Sequence, residues 1–163
     1  MKRRSARMQA RRWRTLRRLP ACRRLRWPSR RSLALERVEL GPRHPETATT
    51  QANLAGVLLD ANAVDASLEL ITEAIVILEQ SMGKDHPRVA VSATIYAHGL
   101  RAKGDFVRAE QNYRRALAID ERAYGPSQAQ TLDDIRTLAE FLRERGKAQE
   151  AAVLEKRLIR VPK

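Results

Sequence analysis

Cysteine is nearly absent from this chain, and aromatic residues are scarce. The 163 residues include a single cysteine, Cys22, and only 4% of them are Phe, Trp or Tyr. A lone cysteine forms no internal disulfide and offers no metal-ligand pair, so we expect a reducing compartment and predict a cytoplasmic location. The few aromatics, beside 43% hydrophobic residues, favour helices packed through small side chains over a β-sandwich or barrel.

Long apolar runs and catalytic motifs are also missing. No segment approaches the roughly 18 consecutive apolar residues of a membrane-spanning helix. The sequence has no phosphate-binding loop, no nucleophile elbow, and no His-x-x-x-His or Cys-x-x-Cys spacing. The neighbouring acids Asp133 and Asp134 are interpreted as an exposed pair on a helix. We therefore predict a soluble protein that does not bind membranes, is not an enzyme, and has no catalytic residue, metal site or cofactor.

Acidic residues are absent from the first part of the chain. Residues 1–31 contain Lys2 and thirteen arginines, and no acid. The rest of the chain contains the other 18 of the 32 basic residues and all 19 acidic residues, a balance of −1. The excess positive charge of the whole chain, +13, therefore lies in residues 1–31. The charge distribution indicates a basic arm at 1–29 and a nearly neutral body at 30–163.

Several interpretations of the arm are open. So few apolar groups favour a disordered or irregular, solvated tail. The arginines, with Trp13 and Trp27 as stacking groups, suit a nucleic-acid-binding arm, which makes nucleic acid a partner only if the arm is functional. An Arg-rich, acid-free stretch is also typical of a targeting peptide. We further expect that the chain is a fragment of a longer repeat array, and that its first 29 or so residues arise from a shifted frame, a misplaced start or a splice.

The body carries an internal repeat. The stretches "GPRHPETA" (Gly41–Ala48) and "GKDHPRVA" (Gly83–Ala90) share the pattern Gly-x-x-His-Pro-x-x-Ala at an interval of 42 positions. The same interval aligns Gly125 with the two glycines, and it aligns small residues in further columns. We predict half a unit at 30–40, followed by units at 41–82, 83–124 and 125–163.

The sequence predicts a pair of helices in each unit. In the second unit, apolar residues recur at helical spacing in two stretches, separated by "AKGDF" with Gly104 as a helix-ending residue. Proline in the fifth place of a unit suits the first turn of a helix. His44 and His86 then occupy equivalent turns, and the third unit has Gln128 there, so we interpret them as parts of a consensus turn rather than as ligands or bases.

These motifs resemble those of a known family. The turn Gly-x-x-His-Pro, the tripeptide "NLA" (Asn53–Ala55) and the stretch "GDFVRAEQNYRRALAI" (Gly104–Ile119) resemble the tetratricopeptide repeat (TPR). The 42-residue period is similar to the long variety of kinesin light chains and many bacterial signalling proteins. The resemblance implies an all-α fold, an α-solenoid of antiparallel helical hairpins forming a TPR superhelix, preceded by the basic arm. It also implies a scaffold that binds other proteins.

The resemblance locates a binding groove on the first helices of the hairpins, which line the concave side of such a stack. The family often has asparagine in the column of Asn53, where its amide can bond a peptide backbone. Arginines can hold carboxylates of a partner or be neutralised by Glu140 and Glu144. The predicted partner-binding residues are Asn53, Thr94, His98, Arg101, Arg136 and Arg143.

The resulting prediction is a non-catalytic module that binds a protein or peptide ligand in its concave groove. The alternative is a nucleic-acid-associated adaptor that uses the arm. Apolar surface left uncapped at the ends of the repeats predicts self-association or marginal stability, because solenoids need polar capping elements.

Overall fold

The described part of the chain is entirely helical. The computed structural model describes residues 29–159, and within this range it contains seven helices and no strand. The predicted disorder of the basic arm falls on residues outside this range, apart from Ser29, which begins the first described helix. The helices are α1 (Ser29–Glu39), α2 (Pro45–Asp60), α3 (Val64–Met82), α4 (Pro87–Lys103), α5 (Phe106–Tyr124), α6 (Ala129–Glu144) and α7 (Ala148–Ile159).

Consecutive helices pack as antiparallel hairpins that stack on one another. Helices α2 and α3 form the first hairpin, α4 and α5 the second, and α6 and α7 the third, while α1 packs on α2. Each hairpin contacts the next, and α2 also touches α4. The predicted all-α solenoid is therefore confirmed.

Small residues hold the two helices of each hairpin close together. The aligned positions on the first helix are Ala55, Ala97 and Ala139, and those on the second helix are Ser67, Ala109 and Ala151; all are buried. The Ser67 hydroxyl donates a hydrogen bond of 2.7 Å to the carbonyl oxygen of Ala55, which records the close approach directly. A larger side chain in either column would force the helices apart, because protein interiors are close-packed.

The turn inside each hairpin has the same backbone geometry. Gly104 ends α4 in the left-handed conformation with φ of +83°, and the amide of Asp105 bonds the carbonyl of Leu100 at 2.9 Å. The first hairpin has Asn62 in this column at φ of +58°. Glycine and asparagine are the residues that tolerate this conformation at a helix end, which confirms the role predicted for Gly104.

Ion pairs join successive second helices at a fixed interval. Within the described range, four pairs connect residues 36 positions apart, and two of them involve α5 and α7. Exposed pairs of this kind contribute at most about 1 kcal/mol each. They engage arginine side chains that would otherwise be free to contact a ligand. The pairs are Arg37–Glu73, Arg115–Glu79, Arg114–Glu150 and Arg157–Glu121.

The two repeated histidines cap helices. His44 accepts a hydrogen bond at Nδ1 from the amide of Glu46 at 3.2 Å, and His86 does the same for the amide of Arg88 at 3.1 Å. Proline begins the helix in both cases, as predicted. Gln128 in the third unit makes no such bond. The pattern Gly-x-x-His-Pro therefore supplies an N-cap and a pre-set first turn.

Removing one of these caps should destabilise the stack measurably. We expect His86→Ala to lower the free energy of unfolding by about 1 kcal/mol, because the Arg88 amide loses its acceptor. His86→Asn should retain most of the stability, since asparagine is a good N-cap, and Gln128→Ala should have little effect. Urea unfolding followed by circular dichroism measures all three. Equal losses in the alanine and asparagine variants would contradict the capping role.

Candidate functional site

The six predicted binding residues all lie on the first helices of the hairpins. Asn53 is on α2, three are on α4, and two are on α6. Four of them are exposed, whereas Thr94 and Arg101 are half-buried. Their use in binding remains a prediction. The residues are Asn53 on α2, Thr94, His98 and Arg101 on α4, and Arg136 and Arg143 on α6.

His98 is anchored by an aromatic residue from the second helix of its own hairpin. Its Nδ1 lies 2.8 Å from the Tyr113 hydroxyl, and the two rings meet edge to face with centroids 5.3 Å apart. Tyr113 is only 2% exposed and leans on Phe141 of α6, with ring centroids 5.2 Å apart. The inner edge of the imidazole is therefore fixed, and its outer edge faces solvent.

The protonation of this pair follows from its surroundings. Burial raises the pKa of Tyr113 to about 12, so the phenol keeps its proton at neutral pH. Partial burial, followed by the positive charge of Arg101, lowers the pKa of His98 below its ordinary value of 6.5. The tyrosine then donates to Nδ1, and this hydrogen bond assigns the histidine proton to Nε2. The neutral ring presents an N–H donor to solvent.

Two carboxylates act on His98 from the neighbouring hairpins. Glu140 on α6 and Asp60 on α2 both oppose the lowering of its pKa, so α2, α4 and α6 contribute to one electrostatic environment. Neither carboxylate forms an ion pair with any residue of the described range. The surface around His98 therefore carries two negative charges that the described residues leave without a counter-ion.

The three predicted arginines are all in ion pairs. Arg101 pairs with Glu144, as one of the alternatives drawn from the sequence anticipated. Arg136 pairs with Asp133 in its own helix, and Arg143 lies 2.6 Å from Glu155 of α7. These contacts join α4 to α6 and α6 to α7. The arginines are thus neutralised in this structure, whereas Glu140 forms no ion pair with them.

Asn53 and Thr94 keep their polar groups available. Within residues 29–159, neither side chain makes a hydrogen bond. Near them α2 and α4 come close, because a Cβ added to Gly56 would lie 3.8 Å from Ile95 Cδ1. Their free amide and hydroxyl groups can donate to or accept from a ligand backbone.

One interpretation from the sequence is wrong. Asp133 is exposed, but its neighbour Asp134 is only 7% exposed and lies against Asp120 of α5. The two residues have different environments because adjacent residues on a helix point about 100° apart, and only Asp134 faces the preceding hairpin.

Metal sites, membrane-spanning helices and surface depressions are three other kinds of functional feature that the rest of the described residues could form. Residues 29–159 contain no group of three or more His, Cys, Asp or Glu side chains placed to hold a metal ion. In the same range, no helix combines the length and apolar character needed to cross a membrane. An open depression of about 870 Å³ lies along the second helix α3, lined by Leu68, Thr72 and Val76 among others.

Comparison with known proteins identifies the family. The tetratricopeptide repeat family model matches residues 53–120 and 90–163. No curated protein matches the chain. The crystal structure of BtubC (BKLC) from P. vanneervenii is 22% identical and superposes with a TM-score of 0.71, covering 79% of this chain and 51% of that one.

A second solved structure leads to the same fold. It is a Podosopora anserina protein described as a kinesin light chain with nearly identical TPR-like repeats, 23% identical with a TM-score of 0.69, covering 80% of this chain and 63% of that one. The chain therefore spans less than two thirds of either protein. Because the family model covers well over half of the sequence and the hairpins superpose on these repeats, the chain belongs to the tetratricopeptide repeat family.

Proposed function

We propose that this chain is a non-catalytic interaction module that binds an extended peptide of a partner protein along α2, α4 and α6. Repeats of this family generally mediate protein–protein interaction. The observation that carries the proposal is the row of unengaged polar groups on successive first helices, namely the Asn53 amide, the Thr94 hydroxyl and Nε2–H of His98. A cytoplasmic location is part of the proposal and is supported by the single cysteine.

The chemistry of this surface suits a peptide backbone together with a basic side chain. Asparagine offers both a donor and an acceptor to the main chain of an extended ligand, and the neutral His98 donates one further hydrogen bond. Asp60 and Glu140 flank this position without counter-ions from the described residues, so a lysine or arginine of the partner gains electrostatic attraction there.

The arginines add a second mode of contact. Each of Arg101, Arg136 and Arg143 is held in an exposed or partly exposed ion pair, and such pairs contribute at most about 1 kcal/mol. A partner carboxylate can therefore exchange with the internal one at small cost. Arg101 is central to this exchange because it also lies beside His98.

Groove variants should weaken peptide binding selectively. Peptides selected from a random display library on the full chain, washed at high salt to remove contacts with the basic arm, provide the ligands. We expect Asn53→Ala and His98→Ala each to weaken their affinity about three- to tenfold, the value of one hydrogen bond. Fluorescence anisotropy measures the change.

The depression along α3 provides the matched control. Thr72→Ala should leave the affinity of the same peptides unchanged, since Thr72 is on a second helix. Peptides that lose affinity in Thr72→Ala but not in the groove variants would exclude the groove as the binding surface. Salt-sensitive binding of DNA or RNA to the full chain, unaffected by all three substitutions, would favour the nucleic-acid alternative.

The protonation of His98 can be tested by nuclear magnetic resonance. We expect its ring to titrate below 6.5, and we expect Arg101→Gln to raise this midpoint because the substitution removes a nearby positive charge. Arg143→Gln, whose ion pair lies with α7, should leave the midpoint nearly unchanged. A midpoint above 6.5 in the unaltered protein would contradict the neutral donor.

The proposal extends to self-association through the ends of the stack. Val38 on α1 is 84% exposed and Val153 on α7 is 63% exposed, which leaves apolar surface at both ends of the described range. We expect concentration-dependent association in sizing chromatography, reduced by Val38→Lys or Val153→Lys. Val107→Lys, at a 70% exposed position of α5 inside the stack, is the control. A stable monomer at high concentration would contradict the proposal.

A further inference from the structure

Two acidic side chains are buried against each other where the second hairpin meets the third. Asp120 near the end of α5 is 1% exposed, and Asp134 in α6 is 7% exposed. The two carboxyl groups lie within hydrogen-bonding reach of each other. The atoms Asp120 Oδ1 and Asp134 Oδ2 are buried and have no hydrogen-bond partner among the described residues. Neither residue forms an ion pair with another residue of the described range.

A hydrogen bond between two carboxyl groups requires one proton. Ionised carboxylates only accept hydrogen bonds, so the contact exists only while one of the pair is protonated. Two buried negative charges in contact would repel each other strongly, as in other carboxylate pairs that share a site. Burial, followed by the charge of Asp120, raises the pKa of Asp134 to about 7, and burial also raises the pKa of Asp120.

The surrounding charged groups do not neutralise the pair. Asp133 adds a further negative charge from α6. Arginines on the elements packed around the joint form ion pairs with other acids: Arg115 and Arg122 of α5 with Glu79 and Asp85, Arg136 of α6 with Asp133, Arg157 of α7 with Glu121, and Arg88 and Arg101 of α4 with Glu46 and Glu144.

The backbone at this joint is satisfied, unlike the carboxyl groups. The Thr131 hydroxyl contacts the main-chain oxygens of Gly125 at 2.8 Å and Asp120 at 3.3 Å. The main-chain oxygens at this joint therefore have a hydrogen-bond donor, whereas one oxygen of each carboxyl group does not. A buried polar atom without a partner costs about 1–3 kcal/mol, and a charged one costs more.

The other joints of the stack lack such a pair. One repeat earlier, the two positions are occupied by Leu78 on α3 and Ser92 on α4, both buried. The Ser92 hydroxyl is satisfied by the carbonyl of Arg88 at 2.8 Å. Two repeats earlier the positions hold Glu36 and Thr50, so that joint has one acid only. Sensitivity to protons is thus concentrated at the contact between α5 and α6.

We propose that the contact between α5 and α6 is a proton-operated hinge, at which the third hairpin docks on the second while Asp120 and Asp134 share one proton and loosens when that proton is lost. The hinge acts on the groove, because α6 carries Arg136, Glu140 and Arg143. It stands independently of which partner the groove binds.

The direction of the pH dependence follows from proton counting. An unfolded aspartate has its ordinary pKa of 3.8, whereas the folded pair keeps a proton up to a pH of about 7. Between these values the folded state binds more protons than the unfolded state, so docking weakens as pH rises and the loss levels off above about 7. Asp134→Asn removes this titration and keeps a donor toward Asp120.

Unfolding of the full chain in urea tests the hinge. The quantity to compare is the equilibrium constant for unfolding of the unaltered protein divided by that of Asp134→Asn. We expect this ratio to rise by up to about tenfold per pH unit below neutrality and to stay constant at higher pH. Histidines titrate equally in both proteins and cancel from the ratio. Thr137→Ala, which changes a side chain without a titrating group on the same helix, should give a constant ratio to the unaltered protein.

Amide hydrogen exchange localises the effect. After correction for the intrinsic pH dependence of exchange, protection of α6 and α7 should fall relative to α2–α4 on going from acid to mildly alkaline pH, and it should not fall in Asp134→Asn. Asp120→Asn serves as the second variant if the first folds poorly. Parallel profiles in the unaltered protein and a folded variant would overturn the proposal.

A metal ion provides the rival occupant of the two unpaired oxygens. Addition of Mg²⁺ or Ca²⁺ at mildly alkaline pH should leave the stability of the unaltered protein unchanged. If either ion restored protection of α6 and α7 in the unaltered protein but not in Asp134→Asn, the pair would be a cation site, and the proton-operated hinge would be wrong.

Discussion

Close approach of two helices within each hairpin is the constraint on which the rest of the structure depends. The alanine column on the first helices and the column of Ser67, Ala109 and Ala151 on the second helices leave no room for larger side chains. Each hairpin then buries little by itself, so its remaining apolar face must be covered by the next. Two continuous apolar clusters result, one from α1 to α5 and one from α4 to α7. Stacking in this way sets the first helices side by side.

Charge neutralisation shapes what this surface can do. The excess positive charge of the sequence lies in residues 1–31, and within the described body many arginines form ion pairs between neighbouring hairpins, such as Arg115 with Glu79. On the first helices, the polar groups that internal contacts leave out include the Asn53 amide, the Thr94 hydroxyl, Nε2–H of His98 and the carboxylates of Asp60 and Glu140. Recognition by the body is therefore expected to rest on hydrogen bonds and local charge rather than on a strong overall field.

Much of the fold could be predicted from the sequence because the same kinds of residue recur at equivalent positions of each 42-residue unit, where they form the same turns and helix contacts. The hairpin turn illustrates this, since Asn62, Gly104 and Gly146 all have positive φ. Atomic partners could not be read in this way: spacing located His86 in a turn but did not show that Nδ1 caps α4, and Tyr113 lies 15 positions from the ring it anchors. Asp134 was misjudged from its neighbour, although its column holds the buried Ser92 one repeat earlier.

The groove and the buried acid pair are coupled by geometry. A ligand that contacts α4 and α6 together binds the docked arrangement of the third hairpin better than the loosened one, because only the docked arrangement holds both helices in register. Linkage is reciprocal, so the same ligand must increase the proton affinity of the pair formed by Asp120 and Asp134. Binding would then be accompanied by proton uptake near neutral pH. A ligand that contacts only α2 and α4 has the same affinity for the docked and the loosened arrangement, so its binding is not accompanied by proton uptake at this joint. The number of protons taken up on binding therefore shows whether a ligand extends as far as α6.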